Sequence, residues 1–246
     1  MVWKVPALRD LNKEREPYAL EVLAAVLDGH EGARFARNLV RGTRVAVSAG
    51  AGYDATVRGE ALFKGSFLHA FRDEVCLPDG AVALREYVVH PGAVMIVPLL
   101  QSPDGALRLV LERQYRYPVQ RTIIEFPAGK LDAGEQPLAC AQRELLEETG
   151  YSAREWARAG VLHPVVSYST EFIEIWFARG LSAGERQLDA GEFLEVFTAT
   201  PQELQQWCRD GQVTDAKTLI AALWLQNVLS GAWPLVWQPV PDHRKP

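Results

Sequence analysis

The chain has 246 residues and three cysteines, with 48% hydrophobic and 23% charged side chains and a formal net charge of −5. That length suits one large domain or two small ones, and the acidic balance argues against a general nucleic-acid binder. Cys76, Cys140 and Cys208 lie far apart and show no metal spacing, which fits a reducing compartment. The longest apolar run, near Ala93–Leu100, is too short to span a membrane, and charges interrupt the N-terminal MVWKVPALRDLNKERE, so no signal peptide is expected. These bounds describe a cytoplasmic protein with no nucleic-acid or membrane partner.

Taken in chain order, Pro17–Leu27 reads as a short helix, with proline at its start and Asp28-Gly29 at its end. An Arg- and Gly-rich stretch follows. Residues 1–60 are expected to form an N-terminal extension of unknown role. Strand patterns begin at Ala61, and Pro78-Asp79-Gly80 supplies a turn between two of them. Residues 61–91 are expected to form a small β domain. Further strands are expected at Gly92–Leu100, Leu107–Arg116, Ile123–Phe126, Glu171–Arg179 and Glu192–Phe197. A helix is expected over Pro137–Glu148, stopped by Gly150. Thr200-Pro201-Gln202-Glu203 forms a capping box, and a last helix should run from Thr214 to about Leu229. The main domain then covers residues 92–235, and 236–246 form a tail. Strands and helices intermixed in this way make a mixed α/β (α+β) fold.

Chemistry concentrates in Gly129–Tyr151, GKLDAGEQPLACAQRELLEETGY. Glu144, Glu147 and Glu148 stand at i, i+3 and i+4, on one face of the expected helix. Leu138, Ala141 and Leu145 fall on another face and can anchor it. Clustered carboxylates repel, and a hard divalent cation such as magnesium relieves that repulsion. Arg143 is placed to pair with a neighbouring carboxylate. Gly129 and Gly134 let the preceding loop turn tightly.

This stretch matches without a gap the Nudix box: Gly129, Glu135, Arg143, Glu144, Leu145, Glu147, Glu148 and Gly150, with Tyr151 at the final apolar position. From about Leu62 to Leu225 the chain is similar to the ADP-ribose pyrophosphatase branch of that family. The similar segments are LPDG (Leu77–Gly80), HPGAV (His90–Val94), RQYRYP (Arg113–Pro118), EFPAGKLDAGE (Glu125–Glu135) and VTDAKT (Val213–Thr218). At His163–Glu171 it departs from the branch, reading HPVVSYSTE where a Pro-Gly pair is usual.

The resemblance implies a Nudix α/β/α sandwich around a mixed sheet, with a small N-terminal β domain and a homodimer. It implies magnesium, with manganese as a substitute, and hydrolysis of ADP-ribose to AMP and ribose 5-phosphate. Alternatives are a nucleotide sugar or dinucleotide as substrate, or a Nudix-fold sensor that binds ADP-ribose without cutting it. It places metal on Glu144, Glu147 and Glu148 with the Ala128 carbonyl. Glu147, Glu148 and Arg143 would serve catalysis, with Glu135 in support. Arg113 and Arg116 are candidates for gripping a phosphate or the terminal ribose. Glu125 is either a substrate contact or a buried acid held by an arginine. A glutamate outside the box often helps activate the water in this branch. In the loop Ser182–Glu192 the candidates are Glu185, Asp189 and Glu192, and Glu192 is preferred because it stands just before a strand.

Overall fold

The computed structural model describes residues 56–77, 81–188 and 193–240. The expected helix at Pro17–Leu27, the turn at 78–80, Asp189, Glu192 and most of the tail lie outside these residues. The chain divides between Tyr87 and Val88 into two compact units.

In the first unit, β1 (Thr56–Lys64), β2 (His69–Cys76) and β3 (Val82–Val89) form a sheet in that order. β1 runs antiparallel to β2, and β1 begins five residues before the strand pattern becomes legible. Phe71 stacks on Tyr87 at 5.7 Å, and the Tyr87 hydroxyl donates to Asp73 at 2.9 Å. Leu62, Phe63, Val82 and Leu84 remain exposed.

The second unit is built on β4 (Ala93–Gln101), β5 (Leu107–Arg116), β6 (Arg121–Glu125), β7 (Ala128–Lys130), β8 (Tyr151–Leu162), β9 (Ile173–Ala183), β10 (Leu194–Ala199) and β11 (Gln238–Pro239). The sheet order is β10-β5-β4-β9-β8-β11, with β6 on β5 and β7 on β4. Its one parallel pair among the described residues is β4 with β9, so the sheet is mixed, as the resemblance implied.

Alternation in β4 sends side chains to two cores. Met95 and Val97 join Leu109, Leu111 and Phe177 on one face. Two helices cover that face through Leu204, Ala221 and Leu225: α2 (Pro201–Arg209) and α3 (Ala216–Leu229), α1 being the helix Pro137–Thr149. Val94 and Ile96 meet Cys140, Ala141, Leu145 and Trp156 on the other face, under α1. Each of these fully buried Leu, Ile or Phe side chains contributes about 1.5–3 kcal/mol. The result is an α/β/α sandwich.

The local signals explain the helix ends. Gly150 closes α1 with φ 75°, and its N–H donates to the Leu146 carbonyl at 2.8 Å. Thr200 and Glu203 make the expected capping box. Asp215 caps α3 by accepting the Thr218 N–H, so this helix starts at Ala216 rather than Thr214. Strand ends shift similarly, to Arg121–Glu125 and Ile173–Ala183.

Among the described residues three strands escape the sequence pattern, the two-residue β11 in the expected tail being one of them. In β8 the adjacent Trp156 and Ala157 are both buried, and a register shift falls between Arg158 and Gly160, so alternation is lost. β7 is three residues long, below the reach of any periodicity.

One feature of the sheet positions the site. β4 pairs with β5 only at its C-terminal end, Leu99–Gln101, and with β7 at its N-terminal end, Ala93–Met95. β5 gives its own C-terminal half to β6. The β6–β7 segment therefore wedges between β4 and β5, and Glu125–Ala128 turns its corner at the split.

Candidate functional site

Four consecutive corner residues are each held from a different direction. Glu125 reaches the Lys217 ammonium on α3. The Phe126 N–H donates to Thr218 Oγ1 at 3.1 Å. The Pro127 carbonyl accepts the Ile96 N–H at 2.9 Å. The Ala128 N–H donates to Glu148 Oε2 on α1 at 3.0 Å.

On α1, Arg143 organises the carboxylates. Its Nε and Nη2 grip both oxygens of Glu135, each at 2.9 Å. Its Nη1 donates to Glu144 Oε1 at 2.8 Å and Glu147 Oε2 at 3.0 Å. Nη2 also approaches the Lys130 carbonyl at 3.3 Å. The bidentate hydrogen bond from Arg143 holds Glu135 down to about 2. The same bond, with the nearby charges, raises the Arg143 pKa. Cys140 beside them is buried, and desolvation raises its thiol, so it behaves as a core residue.

Gly129 is fixed by this packing. A Cβ there would lie 1.9 Å from the Glu144 carboxyl. The box glycine leaves room for a carboxylate against the β7 backbone; it does not turn the loop, because it lies within a strand without a positive φ, and of the two glycines Gly134 alone takes the left-handed conformation.

Glu148 is a correction. A charged residue at i+4 from Glu144, on a helical face away from the apolar anchor, is expected to meet solvent, but Glu148 is 3% exposed. The corner above it removes it from water, and the Ala128 N–H takes one of its oxygens. The Ala128 N–H makes this bond, and the carbonyl that the resemblance makes a metal ligand belongs to the same residue.

Among the described residues, no three His, Cys, Asp or Glu side chains converge as a ready-made metal cluster. Arg143 draws Glu144 and Glu147 to itself instead. The donor set nevertheless fits a hard divalent cation. Glu135, Glu144, Glu147 and Glu148 all offer oxygen, and Arg143 is the cation bonded to three of them. Glu144, Glu147 and Glu148 would hold the ion, with Arg143 keeping Glu135.

The substrate-side candidates separate. Arg116 grips Glu125 through Nε at 2.8 Å and Nη2 at 2.9 Å. Glu125, across from Glu112 in the sheet, is buried. Of the two roles open for it, the structure shows the buried acid held by an arginine. Burial opposes the Arg116 charge, but Glu125, Glu148 and Asp215 outweigh it and raise its pKa, so Arg116 stays protonated. Arg113, three residues earlier, points to the other face of β5. It pairs with Glu195 at 3.0 Å and lies 4.0 Å over the Phe197 ring. Lys217 and Asp215 were not singled out from the sequence, although both lie in the VTDAKT segment.

A sandwich whose split sheet holds an Arg-organised carboxylate helix is the architecture of the NUDIX domain, and that family description matches residues 89–221. The ADP-ribose pyrophosphatase of Bacillus subtilis (strain 168) is 37% identical over 175 residues, 70% of this chain and 92% of that protein. The methanol dehydrogenase activator of Bacillus methanolicus is 37% identical over 177 residues, with the same coverage. A crystal structure of an ADP compounds hydrolase shares the fold, with a TM-score of 0.65, 22% identity, and coverage of 75% of this chain and 98% of the other. The chain belongs to the NUDIX family.

Proposed function

We propose that this protein is a Nudix pyrophosphohydrolase that cuts ADP-ribose to AMP and ribose 5-phosphate. The observation that carries the proposal is the juxtaposition, at one corner of the sheet, of the α1 carboxylates with the protonated Arg116. The similarity to ADP-ribose pyrophosphatases supports the choice of substrate.

Magnesium, or manganese in its place, would neutralise the diphosphate and lower the pKa of the attacking water. Glu144, Glu147 and Glu148, with the Ala128 carbonyl, would supply its oxygen donors. Arg143 orients Glu144 and Glu147, and the Ala128 N–H fixes Glu148. Arg116 offers a planar guanidinium to a phosphate oxygen. Arg113 is a second substrate candidate, and its engagement by Glu195 and Phe197 makes it the weaker of the two. Glu192 is proposed as the base outside the box. Glu192→Gln should lower kcat by about 10²–10⁴-fold without changing the magnesium requirement.

The chain is also proposed to act as a homodimer. The exposed Leu62, Phe63, Val82 and Leu84 give a small sheet that a second copy would cover. Three free thiols suit the reducing cytoplasm. The expected boundaries at 60/61 and 235/236 shift to the observed strands: the small β domain is proposed to begin at β1, the hydrolase domain to run from 92 through β11, and the residues before and after these to form an extension and a tail.

The test is a panel of ADP-ribose, NADH, GDP-mannose and diadenosine polyphosphates with magnesium. ADP-ribose should give the highest kcat/KM with release of AMP, and chelation should abolish it. Preference for GDP-mannose or a dinucleotide would reassign the substrate. Tight binding of ADP-ribose without cleavage would make the protein a sensor.

A further inference from the structure

The VTDAKT segment is not absorbed by the carboxylate helix, yet it meets the site. Arg116, Glu125, Lys217 and Asp215 form one chain of alternating charge. Arg116 spans both oxygens of Glu125, Lys217 reaches Glu125 Oε2, and Lys217 lies 3.1 Å from Asp215 Oδ2. The middle of the chain is buried, with side-chain exposures of 2% for Glu125 and 11% for Lys217. Its end is open, with Arg116 43% exposed. Arg116 spends Nε and Nη2 on Glu125, and its Nη1 has no protein partner among the described residues. The same short segment fixes the backbone on either side. Asp215 Oδ2 accepts the Thr218 N–H at 2.9 Å, and Thr218 Oγ1 accepts the Phe126 N–H.

We infer that Lys217 is a positioning residue that sets the affinity of Arg116 for the substrate's phosphates; this rests on the proposed pyrophosphatase activity. The four charges sum to zero with Lys217 present. Without it, Glu125 and Asp215 together outweigh Arg116, and the residual negative charge faces an anionic diphosphate across a partly desolvated site. Glu125 also loses its second anchor, so the Arg116 plane is held by one ion pair that can pivot.

The test compares Lys217→Met, Arg116→Ala and the double variant, using calorimetric titration of ADP-ribose without added metal, alongside kinetics with magnesium. Lys217→Met should weaken binding about tenfold, within the range of coupled neighbours. KM should rise with it, kcat should stay within about threefold, and the magnesium requirement should not change. Lys217→Arg should restore most of the affinity. In the Arg116→Ala background, Lys217→Met should weaken binding less than it does in the wild type, because only the change in local charge remains. Wild-type-like binding by Lys217→Met overturns the inference, as does an equal loss with and without Arg116. Lys217→Gln keeps a hydrogen-bond donor without the charge; if Lys217→Met does not fold, the same weakening in Lys217→Gln supports the inference and wild-type-like binding overturns it. A wild-type protein that neither binds nor cuts ADP-ribose overturns the functional proposal and this inference together. An active wild type with an unaffected Lys217→Met overturns the inference alone.

Discussion

Replacing Gly129 with alanine separates catalysis from stability. The Gly129 backbone is not in the left-handed region, so alanine adds no backbone strain there. The three atoms nearest the new Cβ all belong to the Glu144 carboxyl, at 1.9, 1.9 and 2.4 Å. An ordinary carbon contact is about 3.5 Å, so the carboxyl must retreat by about 1.5 Å. It is the far end of a flexible side chain that belongs to neither hydrophobic cluster, so the stability loss should be about that of one charge-assisted hydrogen bond, about 1.5–3 kcal/mol. The displacement breaks the 2.8 Å bond from Arg143 and moves a proposed metal donor. A misplacement of about 1 Å can lower rate by about 10²-fold, and a comparable or larger loss in kcat is expected here. The assay is initial rate against magnesium concentration, with thermal melting as the control. Gly134→Ala provides the opposite case, because φ is +80° and nothing lies within 4 Å of the added Cβ. It should cost about 1–2 kcal/mol of stability with little loss of rate. Gly129→Ala retaining more than a third of wild-type kcat at an unchanged magnesium requirement would refute the account of Glu144.

Further outcomes can be checked directly. Glu148→Gln should lower kcat by at least about 10²-fold while the protein still folds, since the amide oxygen can still accept the Ala128 N–H; near-normal turnover at saturating magnesium would remove Glu148 from the metal site. Because Arg143 depresses Glu135 to about 2, its ion pair stabilises the fold above the ordinary carboxylate pKa and is lost as pH falls toward 2. Melting temperature should therefore fall less steeply between about pH 4.5 and 2 in Glu135→Gln than in the wild type, and parallel curves would contradict the assignment. Light scattering at micromolar concentration should give twice the chain mass, and a monomer would count against the proposed dimer.

The local signals were legible because they depend on spacing within a few residues. The i, i+3, i+4 glutamates and Gly150 define α1 and its end, a continuous apolar run marks β4, partial alternation marks β5, and Thr200 with Glu203 starts α2. Arg143 could be assigned to pair with its neighbours because Glu144 and Glu147 lie on its own helix. β8 was not legible, since its bulge and paired buried residues erase period two. Glu148 illustrates the same limit at the site. Its helical face follows from the sequence, but its burial depends on the β6–β7 corner twenty residues away.

The sequence by itself determined the charge chemistry of the carboxylate helix and the class of fold around it. Only the tertiary structure decided which partners those charges meet. Lys217 and Glu125 are 92 residues apart, and Phe126 and Thr218 as far, so no periodicity connects them. They meet because β4 divides its edge between β5 and β7, and the wedge between them docks on the start of α3. Hydrogen-bond partners across a sheet and a helix are chosen by packing, and packing is a property of the folded chain rather than of any one segment.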